Sequence, residues 1–207
     1  MIALVDLGIG NIASIERAFS RIGKKVKVTS VGREIATAEK IVLPGVGSFG
    51  AAAYQLDKLN IRKLLLDLCQ DRERQILGIC LGMQLLFEAS EESPGYQGLG
   101  VLKGCVTRLE SGGRPYTHMG WNTLRDNNLN VTQFSCLSEV TVSQDYYFVH
   151  SYGVVSEQSG LCCRTKLADE ESCFVSYLEA DNLTACQFHP EKSHFAGLDI
   201  LERWVVK

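Results

Sequence analysis

Cys80 ends an apolar run, Gln75-Ile76-Leu77-Gly78-Ile79, and passes straight into a helix-forming segment that begins at Leu81. This is the pattern of a thiol nucleophile elbow. A side chain at so tight a strand-to-helix turn is held in strained geometry, and glycines at 78 and 82 remove Cβ atoms that would clash. The N–H groups of a helix starting at Leu81 would point at the sulfur and favour thiolate, the nucleophilic form. Such a nucleophile needs a base, and the base needs an acceptor to fix its tautomer. Of four histidines, His189 is the best placed, because it follows the apolar run Cys186-Gln187-Phe188 and stands two residues before Glu191. Pro190 between them restricts the backbone, so imidazole and carboxylate can meet side by side.

Attack on an amide carbonyl also puts negative charge on oxygen, which calls for an oxyanion hole. One donor comes with the elbow, the backbone N–H of Leu81. The other is expected from the loop Pro44-Gly45-Val46-Gly47, which follows the run Lys40-Ile41-Val42-Leu43 and brings the backbone of Val46 and Gly47 to the same sheet edge.

These groups need a scaffold. The first half alternates short β-rich runs (Ile2 to Asp6, Val26 to Thr29, Lys40 to Leu43, Gln75 to Ile79) with amphipathic stretches, one from about Asn11 and others through Leu68. Such alternation predicts a parallel sheet with helices on both faces. Ile12, Ile15, Phe19 and Ile22 recur at helical spacing, and Gly23 supplies the stop. The second half is richer in strands, expected over Tyr146 to Tyr152, Leu161 to Lys166, Phe174 to Leu178 and Leu183 to Phe188, before a final helix from Phe195 to Val206. The expected class is therefore α/β, a single domain over residues 1–207 with a mostly parallel central sheet flanked by helices and extra antiparallel strands in the C-terminal half.

With 207 residues, 45% of them hydrophobic, the chain can bury one sizeable core. A net charge of −3 with scattered Lys and Arg gives no reason to expect nucleic acid or an anionic membrane as partner. No apolar run approaches membrane-spanning length, and Asp6 interrupts what would be a signal sequence. Eight cysteines without CxxC or zinc-type spacing read as reduced thiols of a cytoplasmic protein, most of them packing residues.

Gly78-Ile-Cys80-Leu-Gly82-Met-Gln84, Pro44-Gly-Val-Gly47 and Gln187-Phe-His189-Pro-Glu191-Lys192-Ser193 together resemble the class I, or triad, glutamine amidotransferases from end to end of the chain. Two further segments, His118-Met119-Gly120-Trp121-Asn122 and Tyr147-Phe148-Val149-His150-Ser151-Tyr152, are similar to the glutaminase subunits of imidazole glycerol phosphate synthases, of the histidine pathway. The resemblance implies a glutaminase that releases ammonia to a separate (β/α)8 barrel cyclase as a heterodimer, with no metal or organic cofactor. It makes Cys80 the nucleophile, His189 the acid/base and Glu191 its orienter. It assigns Gln84 and Glu92 to substrate glutamine, with the backbone at Ser151 and Tyr152 fixing its polar end. Asn11, Trp121, Tyr147 and Lys192 fall to the partner interface, while His118, His150 and His194 are left as structural or surface groups.

Two departures, Leu7 after the first-strand aspartate where an aromatic is common and Thr117 where a proline is common, leave room for a paralogue serving another acceptor enzyme, such as one that amidinates a sugar. A different class is also open. Gly8-Ile9-Gly10-Asn11-Ile12-Ala13 matches the GxGxx(G/A) dinucleotide fingerprint, and Arg33 could suit a 2′-phosphate, so an NADP-binding protein is the alternative from outside the family. It leaves the elbow, the Pro-Gly-Val-Gly loop and the His-Pro-Glu turn without a role.

Overall fold

The computed structural model describes residues 1–126, 136–137 and 144–207. The first half alternates as expected: β1 (Ile2–Val5), α1 (Ile12–Arg21), β2 (Val26–Thr29), α2 (Gly32–Ala36), β3 (Lys40–Leu43), α3 (Phe49–Lys58), α4 (Arg62–Gln70), β4 (Gln75–Ile79) and α5 (Leu81–Gln84). The rest is mostly strand: β5 (Ala89–Ser90), β6 (Cys105–Arg108), β7 (Glu110–Ser111), β8 (Arg114–Pro115), β9 (His118–Thr123), β10 (Arg125–Asp126), β11 (Asp145–His150), β12 (Tyr152–Gly153), β13 (Leu161–Lys166), β14 (Cys173–Ala180) and β15 (Leu183–Cys186). A 3-10 turn, Pro190–Lys192, leads into the last helix, α6 (His194–Val206).

Eight strands form the central sheet in the order β10-β13-β14-β15-β4-β3-β1-β2. From β2 to β15 every neighbour is parallel; from β15 outward to β10 every neighbour is antiparallel. The mixed class expected from the sequence is the one observed. Alternation along β1 explains the two layers, since successive side chains point to opposite faces. Ile2 and Leu4 share a core with Phe19 of α1 and Trp204 of α6, while Ala3 and Val5 share the other with Phe49, Leu56 and Leu65 of α3 and α4. Phe19 and Trp204 meet edge to face at 6.1 Å.

Of the boundaries that differ from expectation, three have a hydrogen-bonding reason. The run 146–152 breaks at Ser151 because the chain changes partners: β11 pairs with β9, whereas β12 pairs with β6. The strand expected to reach Phe188 stops at Cys186, and the N–H groups of Gln187 and His189 go to Ser176 and Tyr147. The helix expected beyond Leu81 lasts four residues, because the carbonyls of Leu85, Leu86 and Phe87 accept from Leu99, Leu102 and Gly100 instead of from a following helical turn. All eight cysteines are free, and no helix among the described residues is long and apolar enough to cross a membrane.

Candidate active site

The sheet order places the chemistry. β4 lies between β3 and β15, all three parallel, so the segments leaving their carboxyl ends converge. Leu43 pairs with Gly78 and Cys186 with Ile79. Cys80 therefore has the Pro44–Gly47 loop on one side and the strand leading to His189 on the other.

At the elbow Cys80 adopts φ 52° and ψ −107°, a sparsely populated region for a residue with a side chain. Its N–H donates to the Cys186 carbonyl at 2.7 Å, which ties the strained residue to β15. The glycines matter for the reason expected. A Cβ on Gly82 would sit 1.9 Å from the Leu43 carbonyl oxygen, and one on Gly78 would sit 2.9 Å from the Met83 backbone. What changes is the electrostatics. One four-residue turn carries little macrodipole, so the groups around the sulfur must supply what a long helix was expected to give.

His189 is the cationic group coupled to the sulfur. Its side chain is 1% exposed and that of Glu191 2%, and Nδ1 lies 2.7 Å from Glu191 Oε1. The turn is latched to β11: the His189 N–H donates to the Tyr147 carbonyl at 2.9 Å, and buried Ser193 donates its hydroxyl to the His189 carbonyl at 2.6 Å while accepting from Tyr147 N–H at 3.0 Å. Nε2 is buried without a hydrogen-bond partner of good geometry among the described residues. Burial by itself would lower the imidazole pKa; the Cys80 sulfur and the Glu191 carboxylate outweigh it and raise the value to about 10.

That shift has a sign. Unfolded, the ring loses its proton near 6.5, so between there and about 10 the folded chain holds the extra proton. Its contribution to stability is complete below about 6.5 and is lost as pH rises toward about 10. Glu191→Gln should flatten that decline in urea midpoints measured across this range. The same substitution should cut glutaminase activity by on the order of 10³, because a mis-oriented ring is a poor acid/base. An unchanged pH slope would mean that Glu191 does not support the imidazolium.

A cavity of about 260 Å³ opens beside the sulfur, lined by Val46, Gly47, Cys80, Leu81, Gln84, Glu92, Val149, His150, Ser151 and Tyr152. Every residue expected at the oxyanion hole or the substrate lines it. Val46 and Gly47 lie outside regular structure, and Leu81 opens α5, so its N–H is one that a helix leaves without an internal partner. Glu92 also supports the scaffold, since its Oε2 accepts from Phe49 N–H at 2.7 Å and caps α3. Ser151 Oγ pairs with Thr117 Oγ1 at 2.8 Å, so the departure at 117 touches the cavity rim, while Leu7 is core.

Apart from apolar Val149, two residues were not expected here. His150, left as structural, lines the cavity; burial pushes its imidazole down to about 3, so it is neutral near physiological pH, with Nδ1 bonded to the Tyr152 carbonyl at 2.9 Å. Gln187 is fully buried and donates to Cys80 Sγ at 3.5 Å. Only its polarity within an apolar run could have drawn notice. His118 is buried against Phe148, His150 and Phe174.

The four interface candidates lie on the outside of this region. Trp121, 47% exposed, pairs across strands with Tyr147, and Lys192 Nζ sits 5.4 Å from the Tyr147 ring centroid. His194 stacks flat on Trp121 at 4.9 Å, which joins it to the same patch. Asn11 is exposed and caps α1, whose side packs on the 190–192 turn. The dinucleotide alternative needs its third small residue at the close helix-to-sheet contact; Ala13 is exposed instead. No cluster of three His, Cys, Asp or Glu side chains among the described residues is arranged to hold a metal.

Comparison with known proteins agrees with this arrangement. The model of the family "Glutamine amidotransferase class-I" matches residues 3–207. The imidazole glycerol phosphate synthase subunit HisH of Methanothermobacter thermautotrophicus is 42% identical over 205 residues, covering 99% of this chain and 98% of its own. That of Pyrococcus furiosus is 43% identical over 205 residues, covering 98% and 97%. A solved glutamine amidotransferase superposes with a TM-score of 0.72 at 18% identity, covering 99% of this chain and 98% of that one, which is a likeness of fold. With a family match running almost from end to end and relatives above 40% identity over nearly their full length, the chain belongs to the class I glutamine amidotransferases, in the branch of the imidazole glycerol phosphate synthase HisH subunits.

Proposed function

We propose that the chain, as one domain, is the glutaminase subunit of a cytoplasmic imidazole glycerol phosphate synthase, hydrolysing glutamine to glutamate and passing the ammonia to a (β/α)8 cyclase. The cyclase uses it to make imidazole glycerol phosphate and aminoimidazole carboxamide ribotide. The observation that carries this reading is one cavity lined by Cys80, the loop residues Val46 and Gly47, Gln84 and Glu92, with His189 and Glu191 paired at 2.7 Å in the turn after β15.

The Cys80 thiolate attacks the side-chain amide carbon of glutamine, and the oxygen becomes an oxyanion facing the N–H groups of Leu81 and of Val46 or Gly47. The His189 imidazolium gives its proton to the departing nitrogen, the C–N bond breaks, and ammonia leaves a γ-glutamyl thioester. His189 then takes a proton from water, which attacks the thioester and returns Cys80. Glu191 keeps the ring oriented and supports its charged form. Gln84 and Glu92, with the backbone of Ser151 and Tyr152, hold the rest of the substrate. This covalent route needs no metal or organic cofactor.

Ammonia is useful only unprotonated, so a sheltered exit into the partner serves better than release into water. The aromatic patch of Trp121 and Tyr147 with Lys192, next to Asn11, is the face on which the cyclase would seat. The test is the glutaminase rate of the chain alone and with a barrel cyclase and its nucleotide ligand. The rate should rise on complex formation, and Trp121→Ala should weaken association by about 2 kcal/mol, roughly thirtyfold in Kd. Equal rates with and without the cyclase, with unchanged affinity of the variant, would contradict the assignment.

A further inference from the structure

Gln187 is fully buried just past the end of β15, where the register brings it beside Cys80. An amide there costs free energy unless its polar atoms are matched, and a side chain such as Met would fill the same space. Its atoms are matched in one direction. Gln84 Nε2 donates to the Tyr152 carbonyl at 2.9 Å and to Gln187 Oε1 at 3.0 Å, and Gln187 Nε2 donates to Cys80 Sγ at 3.5 Å.

The polarity of this chain of bonds is fixed at its far end. A backbone carbonyl can only accept, so the nitrogen of Gln84 must face Tyr152. The second N–H of that nitrogen then requires the oxygen of Gln187, which leaves the nitrogen of Gln187 toward the sulfur. We propose that Gln187 is a positioning residue for the nucleophile: its carboxamide, oriented through Gln84 by the Tyr152 carbonyl, presents an N–H to Cys80 and holds the sulfur as a hydrogen-bond acceptor at the cavity wall. The proposal rests on the glutaminase reading and deepens it. The same relay leaves Gln84 Oε1 as the atom of that side chain free to accept an N–H of the substrate, so substrate site and sulfur share one network.

Other groups also act on the sulfur. His189, with Glu191 behind it, faces it from the turn after β15, Glu92 shares the cavity, and the buried Cys186 thiol is held neutral by burial. All of these stay in place when Gln187 alone is changed. The experiment follows iodoacetamide labelling of Cys80 in the full chain against pH, read by peptide mass spectrometry. Gln187→Met should raise the labelling midpoint by about one pH unit, and Gln187→Glu should raise it further. A purely structural role would lower the melting temperature and leave the midpoint where it was, and that result overturns the proposal. If the variants do not fold, the side-chain amide signals of Gln187 in the unsubstituted chain decide. They should titrate with the midpoint of Cys80 labelling and move on its alkylation; signals that ignore both overturn the proposal. Labelling requires no glutamine turnover, so a failed glutaminase assay and a failed labelling shift are separate outcomes.

Discussion

Replacing Cys80 with Ala should lower glutamine-dependent turnover of the synthase by a factor on the order of 10³ or more, while turnover on added ammonium salt survives. The size follows from what the sulfur does. Among the described residues no other thiol lines the cavity: Cys186, the nearest other thiol in sequence to His189, is buried and its thiol is pushed well above the ordinary range by that burial. The survival of ammonia-dependent turnover follows from Cys80 being a buried wall of the glutaminase cavity and not a member of the exposed patch assigned to the partner. Loss of both activities would mean that the residue supports the complex and not only the hydrolysis.

Gly82→Ala should be nearly as damaging without touching a reacting atom. The added Cβ would lie 1.9 Å from the Leu43 carbonyl oxygen and 2.6 Å from its carbon, and both are backbone atoms of a central strand that cannot rotate away. Relief requires β3 and α5 to separate. The expected cost is about 3 kcal/mol, at the upper end for overpacking, or a fall of roughly 6–12 °C in Tm. Separation also carries the Val46–Gly47 loop off the elbow, since a Cβ on Gly45 would already be 2.3 Å from that of Leu81. Glutaminase activity should fall by on the order of 10², as expected for misplacement by about 1 Å. A variant with unchanged Tm and activity would show that the elbow is not packed as described.

The triad was legible because its members carry local marks, glycines around Cys80 and a proline locking His189 to Glu191, and the loop beside it was legible as a glycine-rich turn after the neighbouring strand. The parallel half of the sheet was legible for a similar reason, since its buried strands are short apolar runs separated by amphipathic helices. The misplaced boundaries have non-local causes. The helix after Cys80 is cut short by hydrogen bonds from Leu99, Gly100 and Leu102, residues with no periodic signal. The break at Ser151 exists because two different strands claim the segments on either side of it. His150 and Gln187 gave no sign of proximity to the sulfur, because Gln187 is brought there by the β15–β4 register and His150 by the packing of a separate two-stranded sheet, both properties of the folded chain.

The proposed chemistry is covalent: glutamine is opened by the thiol at 80, with the imidazole at 189 as its proton carrier. Quenching the synthase in acid during turnover of glutamine, and mapping any γ-glutamyl adduct by mass spectrometry, puts that chemistry to the sharpest test. A thioester should be found on the Cys80 peptide and be absent from the Cys80→Ala protein. Steady glutamine hydrolysis with no adduct on that peptide, or with the adduct on another residue, would rule the covalent route through Cys80 out.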